Sequence, residues 1–195
     1  VLQTSAARGV GVCTGCRRCW KTGRVLASLP LPCSFDSRAG RTELRRATAA
    51  DVDGIIALLA DDPISASRGD QASDADRPAY VRGLTDILAE PSNDLLVAVL
   101  DGAVVATLQL TSIPGMARRG ARRLLVEAVR VRSDLRSAGI GSAVMRWVAE
   151  EAAPALGAAM VQLTSDAART DAHRFYERLG YTGSHVGFKL AVPTS

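Results

Sequence analysis

The sequence predicts an α/β fold built on a mixed sheet, and three observations carry that reading. Apolar runs of strand length alternate with amphipathic helical stretches in the order β-α-α-β-β-β-α-β-α-β. Asp101-Gly102, a strong two-residue hairpin turn, separates two apolar runs, which makes part of the sheet antiparallel. Between Val129 and Trp147 the chain reads strand, glycine-rich basic turn, helix.

Each element has a local reason. Thr42 to Ala47 reads as the first strand, and Thr48 with Asp51 three residues later forms a capping-box mimic. Val52, Ile55, Ile56 and Leu59 then make one apolar helix face, up to Asp61-Asp62-Pro63. Residues 64–77 are polar and lack hydrophobic period, which predicts a mobile loop. Pro78 suits the first turn of a second helix, whose buried stripe is Tyr80, Val81, Leu84, Ile87 and Leu88. Leu95 to Leu100 and Ala103 to Leu110 form the hairpin around Asp101-Gly102, and residues 113–120 a loop. Arg123 to Val131 is the next strand, followed by a helix over 142–152 with Val144, Trp147 and Val148 on one face. Met160 to Thr164 reads as a strand, Thr170 caps a helix bearing Phe175 and Tyr176, and Tyr181 to Leu190 closes as a final strand.

The length suits one domain with a full core, and no apolar run is long enough to span a bilayer. The formal charge of +4 divides unevenly. Residues 1–42 hold seven basic groups and one acid, whereas the remainder holds 17 basic and 19 acidic groups. The basic balance therefore belongs to the leader, and no nucleic-acid role follows from it. Cys13, Cys16, Cys19 and Cys33 all lie in that leader. Their spacing is a conceivable zinc or iron–sulfur set, but the segment is Arg- and Gly-rich and has no periodic pattern. The reading is a disordered leader over 1–41, with no metal, and a catalytic or binding domain over 42–195. Val1 in place of Met fits an extension upstream of a natural start. Cysteine-free sequence beyond the leader suits a reducing cytoplasm.

The turn Arg136-Ser137-Ala138-Gly139-Ile140-Gly141 carries the chemistry. A glycine-rich turn at a helix start presents unpaired amides and the positive end of the helix dipole, which together suit a phosphate. A P-loop is excluded, since the only lysines are Lys21 and Lys189. A dinucleotide fingerprint is excluded because Val144 stands where its third glycine belongs. The remaining Arg-x-x-Gly-x-Gly after a Val-x-Val strand resembles the acetyl-CoA signature of the GNAT superfamily of N-acetyltransferases. One strand and one helix later, Ala172-His173-Arg174-Phe175-Tyr176-Glu177-Arg178-Leu179-Gly180-Tyr181 resembles that family's second signature. The resemblance covers about Thr42 to Leu190.

The resemblance implies a central mixed, mostly antiparallel sheet of six to seven strands. About four helices flank it, and parallel strands splay apart at the cofactor site. It implies transfer of an acetyl group from acetyl-CoA to a primary amine of a small molecule, peptide or protein, by direct attack in a ternary complex. A non-catalytic acyl-CoA sensor of the same fold is the alternative. The pantetheine arm would bond the backbone of Val129, Arg130 and Val131. The pyrophosphate would rest on amides from Ser137 through Ala138, Gly139, Ile140 and Gly141 to Ser142, with Arg136 contacting phosphate or fixing the turn. Tyr176 would act as general acid near the sulfur. Many family members carry an asparagine where this chain has Arg169; that role does not transfer, although Arg169 remains a candidate cofactor contact that Asp166 or Asp171 would orient.

Glu127 is the candidate base, as the only acid in Arg123–Val131. Strand alternation places it on one face with Val129 and Val131, where apolar neighbours would desolvate it and raise its pKa. A Glu paired with a neighbouring arginine is the other reading. His173, three residues before Tyr176 on the same helix face, is an alternative base, and His185 on the final strand would line the acceptor pocket. That pocket would be built from loops 64–77 and 113–122 and the last strand. The expected partner is an amine acceptor, with no nucleic acid and no membrane, and a homodimer is compatible with the pattern.

Overall fold

The computed structural model describes residues 25–192. Six strands form one sheet in the order of their sequence: β1 (Cys33–Ser37), β2 (Gly40–Arg46), β3 (Asn93–Leu100), β4 (Ala103–Ile113), β5 (Arg122–Val131) and β6 (Ala158–Leu163). Neighbours pair antiparallel except β5 and β6, which are parallel. The mixed, mostly antiparallel sheet is thus present, but its sixth strand is not the expected one.

β1 lies within the segment read as a leader, and its hairpin partner β2 begins before Thr42. Upstream of β1, Leu26 and Leu29 are buried in the core, and Arg46 donates to the Leu26 carbonyl at 2.6 Å. The boundary drawn after residue 41 therefore falls inside a hairpin, and residues 25–41 belong to the fold. Cys33–Ser37 is too short and too polar to carry a strand signal of its own, and pairing with β2 supplies what local propensity does not. Cys13, Cys16 and Cys19 lie outside the described residues. Cys33 sits on β1, where burial and then the Glu151 charge push its thiol up.

At the other end, Tyr181 to Leu190 forms no strand. Val186, Phe188 and Leu190 are exposed, so the expected final strand finds no sheet edge to pair with among the described residues.

The helices follow their local signals more closely. Thr48 donates its backbone N–H to Asp51 Oδ2 at 2.7 Å, closing the anticipated capping box before α1 (Val52–Ala60). α1 buries Val52, Ile55, Ile56 and also Leu58. It lies so close to β4 that a Cβ on Gly54 would stand 2.9 Å from that of Val104. The polar stretch read as a mobile loop begins with a short helix, α2 (Pro63–Ala66), capped by Asp62 accepting from Ser65 N at 2.8 Å. α3 (Arg77–Ala89) buries Leu84, with Tyr80 and Ile87 half-buried, but Val81 and Leu88 are exposed. Asp101 and Gly102 both take positive φ, 49° and 78°, as a two-residue hairpin turn of this type requires.

α4 (Ile140–Trp147) runs on through a π-helical turn, Val148–Ala152, into Ala153–Ala155. Pro154 explains that irregularity, since it has no N–H to donate and its ring crowds the preceding turn. α5 (Thr170–Arg178) ends on Gly180 at φ 87°, with Tyr181 N donating to Tyr176 O at 3.1 Å and Gly180 N to Glu177 O at 2.9 Å. This pair of reversed bonds is a Schellman closure. It stacks Tyr181 edge-on against Tyr176, ring centres 5.8 Å apart. One core lies on the α4 side of the sheet, and a second lies under α1 and α3.

Candidate functional site

The parallel pair ends before its longer strand does. β5 and β6 pair from Arg122 opposite Ala158 to Val126 opposite Leu163, with one register slip just after Arg122, and β5 then continues unpaired by β6 to Val131. On its other side, the β4–β5 register slips: Gln109 faces Glu127 but Thr107 faces Arg130, three steps on β5 against two on β4. The extra residue is a β-bulge, and Ala128 within it takes φ 50°.

The bulge reverses the alternation on which the reading of Glu127 rested. Residues opposite one another across an antiparallel pair share a face. Glu127 therefore lies with Gln109, and Arg130 with Thr107, on the α1 and α3 face. Val129 and Val131 pack instead against the core on the α4 side. Glu127 does not share their face, and it is exposed rather than enclosed by apolar neighbours. It makes no hydrogen bond or ion pair among the described residues, so the pairing with a neighbouring arginine is not found either.

Beyond β5 the chain forms the glycine-rich turn. Ser137 takes φ 64° and Gly139 takes φ 99° immediately before α4. Among the described residues, no acceptor takes the backbone N–H of Ser137, Gly139, Ile140, Gly141 or Ser142, whereas Ala138 N is used by Leu135 O and Ala143 N by Gly139 O. The result is a concave set of unpaired amides at a helix start. Arg136 is exposed; its Nε donates to Val131 O at 3.4 Å and its guanidinium lies 3.9 Å from Asp61. Asp61 in turn accepts from Ser133 N at 2.7 Å, so the end of α1 braces the turn. Gly141 faces Val131 and Phe175, each 3.5 Å from where its Cβ would stand.

Tyr176 packs edge-on to Phe175, ring centres 5.1 Å apart, against the α4-side core. Burial pushes its hydroxyl up, and the charges of Arg130 and Arg169 pull it back. The Tyr181 hydroxyl, buried without a partner among the described residues, is pushed up to about 12 by burial and by Tyr176. Arg130 is half-buried. It donates to Val129 O at 2.8 Å and to Ser65 Oγ at 2.5 Å, and its Nε is buried with no partner among the described residues.

Arg169 grips Asp62 with both guanidinium nitrogens, one bond measuring 2.6 Å. Burial alone pushes the Asp62 carboxyl up. The Arg169 bonds, the Ser65 N–H and the charges of Arg130 and Arg169 overturn that and hold it far below the usual carboxylate range. Neither Asp166 nor Asp171 orients Arg169: Asp166 pairs with Arg68, and Asp171 with Arg174. His173 Nε2 bonds the Asp166 carbonyl at 2.9 Å, which makes that nitrogen the protonated one. His185 is exposed and bonded to Ser184.

A cavity of about 190 Å³ lies between α1, α3 and the sheet. Ile55, Ile56, Tyr80, Leu84 and Ile87 form its walls, and the bulge residue Ala128 with Thr107 and Gln109 its floor. None of this cavity's lining residues comes from loops 64–77 and 113–122 or from residues 181–190, the segments expected to build the acceptor pocket. Sequence reading missed this cavity and the Asp62 pair because both join distant segments: the cavity lining runs from Val52 to Ala128, and Asp62 meets Arg169 107 residues away. It missed Ala128 because alanine carries no signal for positive φ.

Comparison with known proteins accords with this architecture. The acetyltransferase (GNAT) family model matches residues 56–181, and the chain belongs to that family; it is an acyltransferase. It is 32% identical over 150 residues to an aminoalkylphosphonate N-acetyltransferase of Salmonella typhimurium, covering 77% of this chain and 91% of the relative. A crystal structure described as a transcriptional regulator from Bacillus halodurans superposes with a TM-score of 0.73 at 36% identity, over 77% of this chain and 99% of that one. Glucosamine-6-phosphate N-acetyltransferase of Arabidopsis thaliana shares the fold at TM-score 0.62 and 17% identity, over 78% of this chain and 99% of that one. No helix among the described residues is long and apolar enough to cross a membrane.

Proposed function

We propose that this protein transfers an acetyl group from acetyl-CoA to a primary amine. The observation that carries the reading is the set of unpaired amides from Ser137 to Ser142, at the end of a strand whose last five residues have lost their parallel neighbour. That donor set fits a pyrophosphate, and the unpaired side of Val129, Arg130 and Val131 offers backbone groups to an amide-bearing arm. Acetyl-CoA, when bound, supplies the activated acetyl thioester.

The chain's own residues do the rest. Arg136 adds positive charge at the turn and anchors it through Val131 O. An acceptor amine resembling lysine is protonated up to about pH 10.4, so it needs a base to become nucleophilic near neutrality. Glu127, exposed beside Gln109 at the bulge, takes that proton directly or through water. Tyr176 holds a proton that burial keeps in place, and it delivers this proton to the departing thiolate. The nearby Arg130 charge steadies the phenolate left behind. Arg169 keeps α5 against α2 through Asp62 rather than touching the cofactor.

Titration calorimetry with acetyl-CoA tests the binding half, and release of free thiol on adding amines tests the chemistry. Micromolar binding with amine-dependent thiol release is expected. Binding without thiol release across an amine panel that includes an aminoalkylphosphonate would favour an acyl-CoA sensor, and no binding at millimolar ligand would end the reading.

A further inference from the structure

We infer that the cavity under α1 and α3 is the acceptor's specificity pocket, and that it takes a compact apolar group: the acceptor is a primary amine bearing an aryl or branched alkyl substituent. The inference rests on the acetyl-transfer reading above and narrows its substrate class.

The cavity ends on Ala128, the residue between Glu127 and Val129, so whatever fills it presents its near end to the bulge where the proposed base stands. Its walls from α1 and α3 are aliphatic apart from Tyr80. The polar groups that reach it have most of their donors committed. The Tyr80 hydroxyl bonds Asp70 Oδ1 at 3.1 Å, the Thr107 hydroxyl donates to Leu96 O at 3.0 Å, and Gln109 Nε2 donates to Asn93 Oδ1 at 3.1 Å. A phosphonate or carboxylate placed here would lose its water and find at most the second Gln109 amide hydrogen in return, which is unfavourable. An apolar group forfeits no hydrogen bond and gains contact with the aliphatic walls.

Size sets the substituent. A dry apolar cavity of about 150 Å³ holds a benzene ring. The 190 Å³ here accommodates a phenyl group or a branched alkyl chain of similar bulk. Gly83, on the α3 wall, leaves open space where a side chain would stand: a Cβ there meets no atom within 4 Å.

The test is a series of amines from methylamine through isopentylamine to phenethylamine, with 2-aminoethylphosphonate as the anionic comparison. Turnover is read by thiol release at saturating acetyl-CoA. kcat/KM should rise about fourfold per added methylene until the cavity is full. Phenethylamine should exceed 2-aminoethylphosphonate more than tenfold. Gly83→Leu, which replaces glycine with a strong helix former, should flatten the series while leaving the acetyl-CoA Kd unchanged. Ile87→Ala, which enlarges the cavity, should move the optimum to a longer chain. A flat series in the native protein would overturn the inference, as would a preference for the phosphonate that Gly83→Leu does not alter; in either case acetyl-CoA binding and amine-dependent thiol release would still stand. Loss of acetyl-CoA binding itself would instead remove the transfer reading beneath it.

Discussion

Replacing Arg169 with alanine separates a structural role from a cofactor role at the position where this chain departs from its family's pattern. The structure gives Arg169 a partner 107 residues away, Asp62, which is 7% exposed and caps α2 through Ser65 N. Removing the guanidinium strands a buried carboxylate. Breaking such a pair costs about 3–5 kcal/mol. The lower end applies here, because the Ser65 N–H and the Arg130 charge remain beside Asp62. For a chain of this size, about 3 kcal/mol lowers the Tm by roughly 6–12 °C. Thermal unfolding followed by circular dichroism measures it, with the acetyl-CoA Kd taken by calorimetry on the same samples. The double variant Arg169→Ala with Asp62→Asn should lose less stability than the sum of the single losses, because the stranded charge is gone. An unchanged Tm for Arg169→Ala with acetyl-CoA binding weakened tenfold or more would refute the reasoning and return Arg169 to the cofactor site.

The remaining predictions are as follows. Gly139 sits at φ 99°, so Gly139→Ala strains the turn by about 1–2 kcal/mol and should raise the acetyl-CoA Kd about tenfold; an unchanged Kd would remove the amides as the phosphate site. Tyr176→Phe and Glu127→Gln should each lower kcat by about a hundredfold or more while the acetyl-CoA Kd stays within about twofold. A kcat untouched by Glu127→Gln would pass the base role to His173 or to water. Asp51, bonded by Arg45 at 2.8 Å, has its carboxyl lowered from 3.8 to about 2, chiefly by that hydrogen bond. A group whose folded pKa is depressed stabilises above its unfolded value and loses that contribution as pH falls through the folded one. About 2 kcal/mol should therefore disappear between about pH 4 and pH 2. Urea unfolding across that window should show the loss in the native protein and not in Asp51→Asn.

The legible parts of this protein are those whose cause is short in range. The hairpin at Asp101-Gly102, the capping box at Thr48 and Asp51 and the positive φ of Gly139 depend on dihedral preference and on bonds a few residues long. The two motifs around Gly139 and Tyr176 were legible for the same reason. They sit on opposite sides of β6, and the fold brings Phe175 to within 3.5 Å of the place a Cβ on Gly141 would occupy. What misled was assuming regular alternation along β5: a one-residue bulge is enough to turn Glu127 away from Val129 and Val131.

By itself, then, the sequence determined the α/β class, most of the helices and strands, the amide-rich turn and the family. Its local signals are written in residue types that favour one backbone conformation over another. Tertiary structure alone decided that β1 completes the sheet and that residues 181–190 do not. It set Ala128 in a bulge, joined Arg169 to Asp62, and left an apolar cavity between α1, α3 and β5. Those outcomes depend on which surfaces pack together across the chain. A buried charge or a cavity wall has no meaning until its neighbours arrive from distant segments.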